Sequence, residues 1–166
     1  MSQSPKTTSA VKVVGVSKKF SLDDGSADIE ALSEVTLSVS QGEFLSIIGP
    51  SGCGKSTLVR IIAGLVSDFD GEVELLGDRL SGPHPQVGMV FQEDSTFPWR
   101  TTIQNVEFGL EMRKVPPAER RLKCAKILEL VGLSGFDNRY PSELSGGIKQ
   151  RVAIPRSLIL KPQIPV

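Results

Sequence analysis

The run Gly49-Pro50-Ser51-Gly52-Cys53-Gly54-Lys55-Ser56 restricts this chain to a small set of folds. A Gly-x-x-x-x-Gly-Lys-Ser sequence carries meaning only between a buried strand and a helix. Both flanks comply. Residues 44–48 form a short apolar run of the length expected for a strand buried on both faces. After Lys55, apolar residues fall at Leu58, Ile61, Ile62 and Leu65, the i, i+3, i+4, i+7 spacing of one helical face. In that setting Gly52 and Gly54 are expected at backbone angles other residues resist, turning successive N–H groups inward as an anion nest. The helix that starts near Lys55 points its positive end at the same place. Lys55 is placed to reach the β- and γ-phosphates of a nucleotide, Ser56 to ligate Mg²⁺, and Thr57 to add a hydroxyl near the α-phosphate. Residues 49–57 are thus a predicted phosphate loop, a feature shared by ATPases, GTPases and small-molecule kinases.

Alternation gives the rest of the architecture. Residues 11–16 read as a strand, as do Val35, Leu37 and Val39 with their polar neighbours, Val73 with Leu75, and residues 87–91. Pro116-Pro117 opens a helix, Glu119 lies in its first turn, and Gly132 stands where a C-terminal cap is expected. Cys124, Ile127, Leu128 and Val131 mark that helix's buried face. The predicted class is α/β with an antiparallel β element at its front. Residues 1–10 are polar, rich in Ser and Thr, and read as a disordered leader.

Composition narrows the partners. Lys plus Arg and Asp plus Glu each number 19, so no global field favours a nucleic acid. The two cysteines, Cys53 and Cys124, show no metal-ligand spacing, and a disulfide at Cys53 would obstruct the loop, which points to a reducing compartment. No stretch approaches the roughly 20 apolar residues of a membrane span, so a membrane role has to come through a partner.

A second glycine turn, Leu144-Ser145-Gly146-Gly147-Ile148-Lys149-Gln150-Arg151, precedes a predicted helix with Ser145 as its N-cap. Its exposed N–H groups make a second anion site, usable together with the first in a head-to-tail dimer. Here the chain resembles the ATP-binding subunits of ABC transporters. Residues 49–56 are similar to their Walker A motif, Phe91-Gln92 to the start of their Q-loop, and residues 144–151 to their signature motif, in the family's order. The resemblance implies a P-loop NTPase fold over residues 11–166, with a Q-loop and helical subdomain at about 93–143 and the signature motif and helix at 144–160. It implies that Phe20 stacks on adenine, the alternative being a core Phe that closes the first strand. It implies that Gln92 contacts Mg²⁺ and the attacking water, the alternative being an ordinary polar strand-end residue. Ser145, Gly146, Gly147 and Gln150 would face ATP bound to a second subunit. The segment with Phe97-Pro98-Trp99 looks like the nitrate, sulfonate, taurine and bicarbonate importer branch, the plainer reading being an aromatic anchor within its own domain.

Two departures qualify that resemblance. The family's Walker B Asp, adjacent catalytic Glu and switch His follow the signature helix, yet no Asp, Glu or His follows Glu143 here. The chain is therefore expected to be truncated, with an incomplete central sheet, unpaired backbone and exposed apolar surface. The only histidine, His84, precedes the Q-loop and reads as a loop residue. Pro155 falls inside the signature helix, where a kink or an end is expected, and Pro165 inside a buried strand.

The resulting expectation is an ATP-binding subunit of an importer for a small anion, peripheral on the cytoplasmic face of the inner membrane. Its partners would be a permease and a second ATP-binding subunit, and its cofactors ATP and Mg²⁺. The chain alone would bind ATP and hydrolyse it poorly. Two alternatives stand beside it: a non-catalytic subunit that donates its Ser-Gly-Gly turn to an intact one, and a soluble ABC-type ATPase without a permease.

Overall fold

The structure is a computed structural model, and it describes residues 9–21, 28–92 and 95–166. The chain divides into two compact units, Met1–His84 and Pro85–Val166.

In the first unit, four strands form one sheet: β1 (Ser9–Phe20), β2 (Ile29–Ser40), β3 (Asp70–Leu75) and β4 (Asp78–Arg79). Their order is β2-β1-β3-β4 and every pairing is antiparallel, as the alternating pattern predicts. β1 begins at Ser9, inside the segment expected as a leader; residues 1–8 lie outside the described residues, as does most of the 21–28 loop. Val13 and Val16 on β1 and Val73 and Leu75 on β3 turn the same way and are almost fully buried. Ile61 and Ile62 of helix α1 (Lys55–Ile62) are buried as well, so the helical face read from the sequence is the buried one. Leu65 lies beyond the helix and is half exposed.

Residues 44–48 do not form a strand. Among the described residues no strand is hydrogen-bonded to them, and a strand without a ladder partner is not stable in water. Phe44 and Ile48 are more than 90% exposed. The central sheet is thus incomplete where incompleteness was expected, and its apolar residues face solvent.

The second unit is mainly helical: α2 (Thr102–Met112), α3 (Pro117–Leu130) and α4 (Gly146–Leu158), with a short 3-10 turn at Pro141–Glu143. α2 was not legible from apolar spacing; a capping box starts it, with Thr101 Oγ1 accepting from the Gln104 N–H and Gln104 Oε1 accepting from the Thr101 N–H. α3 opens at Pro117 and is followed by Gly132 at φ 70°, as predicted, and Cys124 and Leu128 are buried while Ile127 and Val131 are half-buried. Val106, Leu110, Cys124, Leu128, Leu133, Leu144, Val152 and Ile159 make one core among the three helices.

The structure bears on two expectations about proline. Of the kink or end expected at Pro155, the end is excluded: α4 runs on through the residue, which is almost fully buried. The bond lost is the one to the Arg151 carbonyl, and the buried ring offsets part of that loss. Pro165 sits in β6 (Ile164–Pro165), parallel to β5 (Val87–Gly88). The ladder uses the N–H groups of Ile164, donating to the Gln86 carbonyl, and of Val166, donating to the Gly88 carbonyl, so the imide of Pro165 falls on the other edge. The strand predicted over residues 87–91 is confined to Val87–Gly88.

Candidate functional site

The phosphate loop takes the backbone course its glycines predict. Gly52 has φ 81° and Gly54 φ 90°, both in the left-handed region. Gly54 is the N-cap of α1, and its carbonyl accepts from the Leu58 N–H at 2.9 Å. A Cβ on Gly54 would run into the Ala31 carbonyl and crowd the Leu32 side chain on β2, so the loop is seated against the sheet at that point. Glycine is required there twice over, by φ and by space. Gly49 is close enough to Cys53 that a Cβ would lie 2.7 Å from its Sγ, so the two ends of the loop nearly touch.

Lys55 brings its charge back over the loop. Its Nζ donates to the Gly49 carbonyl at 2.8 Å and the Pro50 carbonyl at 2.6 Å, and lies 3.5 Å from Cys53 Sγ. No acidic residue occupies the first turn of α1 and no side chain caps it, so the field at the helix start is positive. Ser51, Gly52, Cys53 and Ser56 are exposed, while Thr57 is half-buried. Left-handed glycines, one ammonium over the loop and a helix whose first turn carries no acidic residue fit a polyphosphate. Among the described residues no cluster of three His, Cys, Asp or Glu could hold a metal, so magnesium at this site would come with the phosphates and use the Ser56 hydroxyl.

Phe20 ends β1 with 42% of its surface exposed. Lys18 Nζ stands 4.9 Å from its ring centroid. Gln92 is exposed and follows the β5–β6 pair, two residues after Val90, whose N–H donates to the Val166 carbonyl at 2.8 Å. Ser145, Gly146, Gly147 and Gln150 are all exposed at the start of α4. Ser145 is the N-cap by position, but its hydroxyl makes no cap bond; its carbonyl accepts from Ile148 and Lys149, each at 3.0 Å, and the two glycine N–H groups have no carbonyl of their own helix to reach.

The segment after Gln92 holds residues that spacing alone did not reveal. Asn105 is fully buried on α2 and clamps the preceding loop with four hydrogen bonds. Its Oδ1 accepts from the Phe97 N–H at 2.7 Å, and its Nδ2 donates to the carbonyls of Phe97, Arg100 and Thr101 at 3.0–3.1 Å. Arg156 of α4 donates to the Ser95 carbonyl and lies 4.2 Å from the Phe97 ring centroid; burial and the nearby Arg100 lower its pKa. Phe97 also meets Phe108 edge-on at 4.8 Å. The aromatic anchor is thus Phe97, whereas Trp99, stacked on it at 5.5 Å, is 71% exposed. The signal available in sequence was the Thr101-x-x-Gln104 capping pattern that starts the helix, which does not single out Asn105.

Comparison with known proteins identifies the family. The ABC transporter family profile matches residues 32–166. The aliphatic sulfonates import ATP-binding protein of Bacillus licheniformis is 47% identical over 140 residues, covering 84% of this chain and 54% of the relative. The nitrate import ATP-binding protein of Synechocystis is 47% identical and the taurine import ATP-binding protein of Pelagibacter ubique 43% identical, each over 136 residues, 82% of this chain and 51% of the relative. Among solved structures, a dimeric ATP-binding cassette in a post-hydrolysis state with ADP and Pi superposes with a TM-score of 0.86 at 36% identity. That match covers 93% of this chain and 72% of the solved one. The chain spans about half the length of the curated relatives it matches. By the family profile over residues 32–166 the chain belongs to the ABC transporter family, and the three relatives named above are import ATP-binding proteins.

Proposed function

We propose that this chain is the nucleotide-binding part of an importer's ATP-binding subunit, and that it holds MgATP at residues 49–57. The observation that carries the reading is the loop itself: Gly52 and Gly54 at positive φ, Lys55 folded over the loop, and a helix start free of acidic residues. The names of its relatives support a small anionic solute such as a sulfonate, nitrate or taurine. Ser56 and Gln92 serve as the protein ligands of magnesium, and Phe20 takes the adenine. Ser145, Gly146, Gly147 and Gln150 close the loop of a second copy in a head-to-tail dimer. A permease receives the resulting motion. Among the described residues no helix is long and apolar enough to cross a membrane, so the membrane is reached through that partner, on its cytoplasmic side.

Calorimetric titration tests the reading. The chain is expected to take up one MgATP, and Lys55→Ala to lose at least about tenfold in affinity, the loss of one charge-assisted contact to phosphate. Equal affinity in the two proteins, or no uptake by either, would remove the phosphate loop as the site.

A further inference from the structure

Lys18 is an unusual residue for its position. Val16, Lys18 and Phe20 are two apart on β1 and share one face, which becomes progressively more open towards the strand's end. Val16 is fully buried, Lys18 is 7% exposed and Phe20 42%. A cation this enclosed needs partners, and among the described residues it has two. Its Nζ pairs with Asp68 Oδ2 at 2.8 Å, and it stands 4.9 Å from the centroid of the Phe20 ring, within cation–π range. Asp68 is itself almost fully exposed, so the pair is tethered from outside.

The same strands carry the phosphate loop. Gly54 is seated against Ala31 and Leu32 of β2, Leu32 is paired across the sheet with Lys18, and Ile29 with Phe20. One strand spacing, about 4.8 Å, therefore separates the strand that backs the loop from the strand that bears Lys18 and Phe20. The Lys18 ammonium lies over the Phe20 ring, and 42% of Phe20 is exposed.

We propose that Lys18 is a positioning residue for nucleobase recognition. Tethered by Asp68, its ammonium occupies one face of the Phe20 ring and holds the ring so that the opposite face stacks on the base of a nucleoside triphosphate. This inference rests on the phosphate loop as the triphosphate site and on Phe20 as the stacking group. A ring already held in place loses little freedom when the base arrives. The phosphate grip of Gly52, Gly54 and Lys55 does not depend on it. Loss of Lys18 thus has a particular signature: the ligand with a base suffers, and the ligand without one does not.

The test is calorimetric titration of the full chain with MgATP and with magnesium tripolyphosphate. Lys18→Met keeps the length of the stem and removes the charge, Lys18→Arg keeps the charge, and Asp68→Asn loosens the tether from the surface. Lys18→Met is expected to weaken ATP about 3- to 10-fold and to leave tripolyphosphate within about twofold, with Lys18→Arg restoring most of the loss and Asp68→Asn giving a smaller loss of the same kind. In a Phe20→Leu background, Lys18→Met should add nothing. Equal weakening of both ligands, an unchanged ATP affinity in Lys18→Met, or a loss that persists without Phe20 would each overturn the proposal. A parent chain that binds tripolyphosphate as tightly as ATP would overturn it while leaving the phosphate loop standing. A parent chain that binds neither would overturn both.

Discussion

Gly54 and Asn105 both resist replacement, for opposite reasons. At Gly54 there is no room for a side chain, because the Ala31 carbonyl already fills the space, and φ is 90°. At Asn105 the side chain is indispensable, since it alone satisfies the Phe97 N–H and shares three loop carbonyls. Stranding a buried backbone group costs about 1–3 kcal/mol. Asn105→Ala is therefore expected to lower unfolding stability by at least about 2 kcal/mol in urea titration. A loss under about 0.5 kcal/mol would show that the clamp is dispensable. Gly54 was legible in the sequence because a phosphate loop needs glycine at that offset. Asn105 was not, because a polar residue on a helix reads as solvent-facing until tertiary contacts bury it.

At the scale of elements, α3 and α4 show what local sequence can and cannot say. The start and stop of α3 follow from Pro117 and Gly132, residues whose backbone preferences act without tertiary help. The run 44–48 has strand composition and no strand, because a ladder is a property of two segments and spacing reports on one. α4 passes through Pro155 because the proline is packed almost wholly inside the helical unit, a tertiary contact no propensity includes. Pro is about 3 kcal/mol worse than Ala inside a helix, while the ring carbons lost on truncation are worth about 0.8 kcal/mol each when buried. Pro155→Ala should therefore stabilise the chain by roughly 1 kcal/mol net, raising the thermal midpoint by about 2–4 °C. A lowered midpoint would mean that the ring's packing outweighs the missing backbone bond.

At the scale of the molecule, the phosphate loop belongs to one compact unit and the signature turn to the other, each unit with its own core. The order of the motifs and the α/β class were readable because each rests on short-range chemistry: glycines at fixed offsets, a lysine at a helix start, alternating apolar residues. Cys53, inside the loop, is a direct reporter of whether residues 49–57 receive a triphosphate. Cys53 is exposed and lies 3.5 Å from the Lys55 ammonium. Cys124, the other thiol, is fully buried in the helical core; that burial, assisted by the charge of Glu107, pushes its pKa up to about 12, so at pH 7.5 it is neither accessible nor ionised. The measurement is the rate of maleimide labelling at pH 7.5, read by intact mass, with and without saturating MgATP. The account predicts one reactive thiol per folded chain, labelling at Cys53 that slows at least about tenfold with MgATP, as occupancy above nine-tenths requires, and no such protection in Lys55→Ala at the same concentration. Labelling of Cys53 at an unchanged rate under saturating MgATP would contradict it.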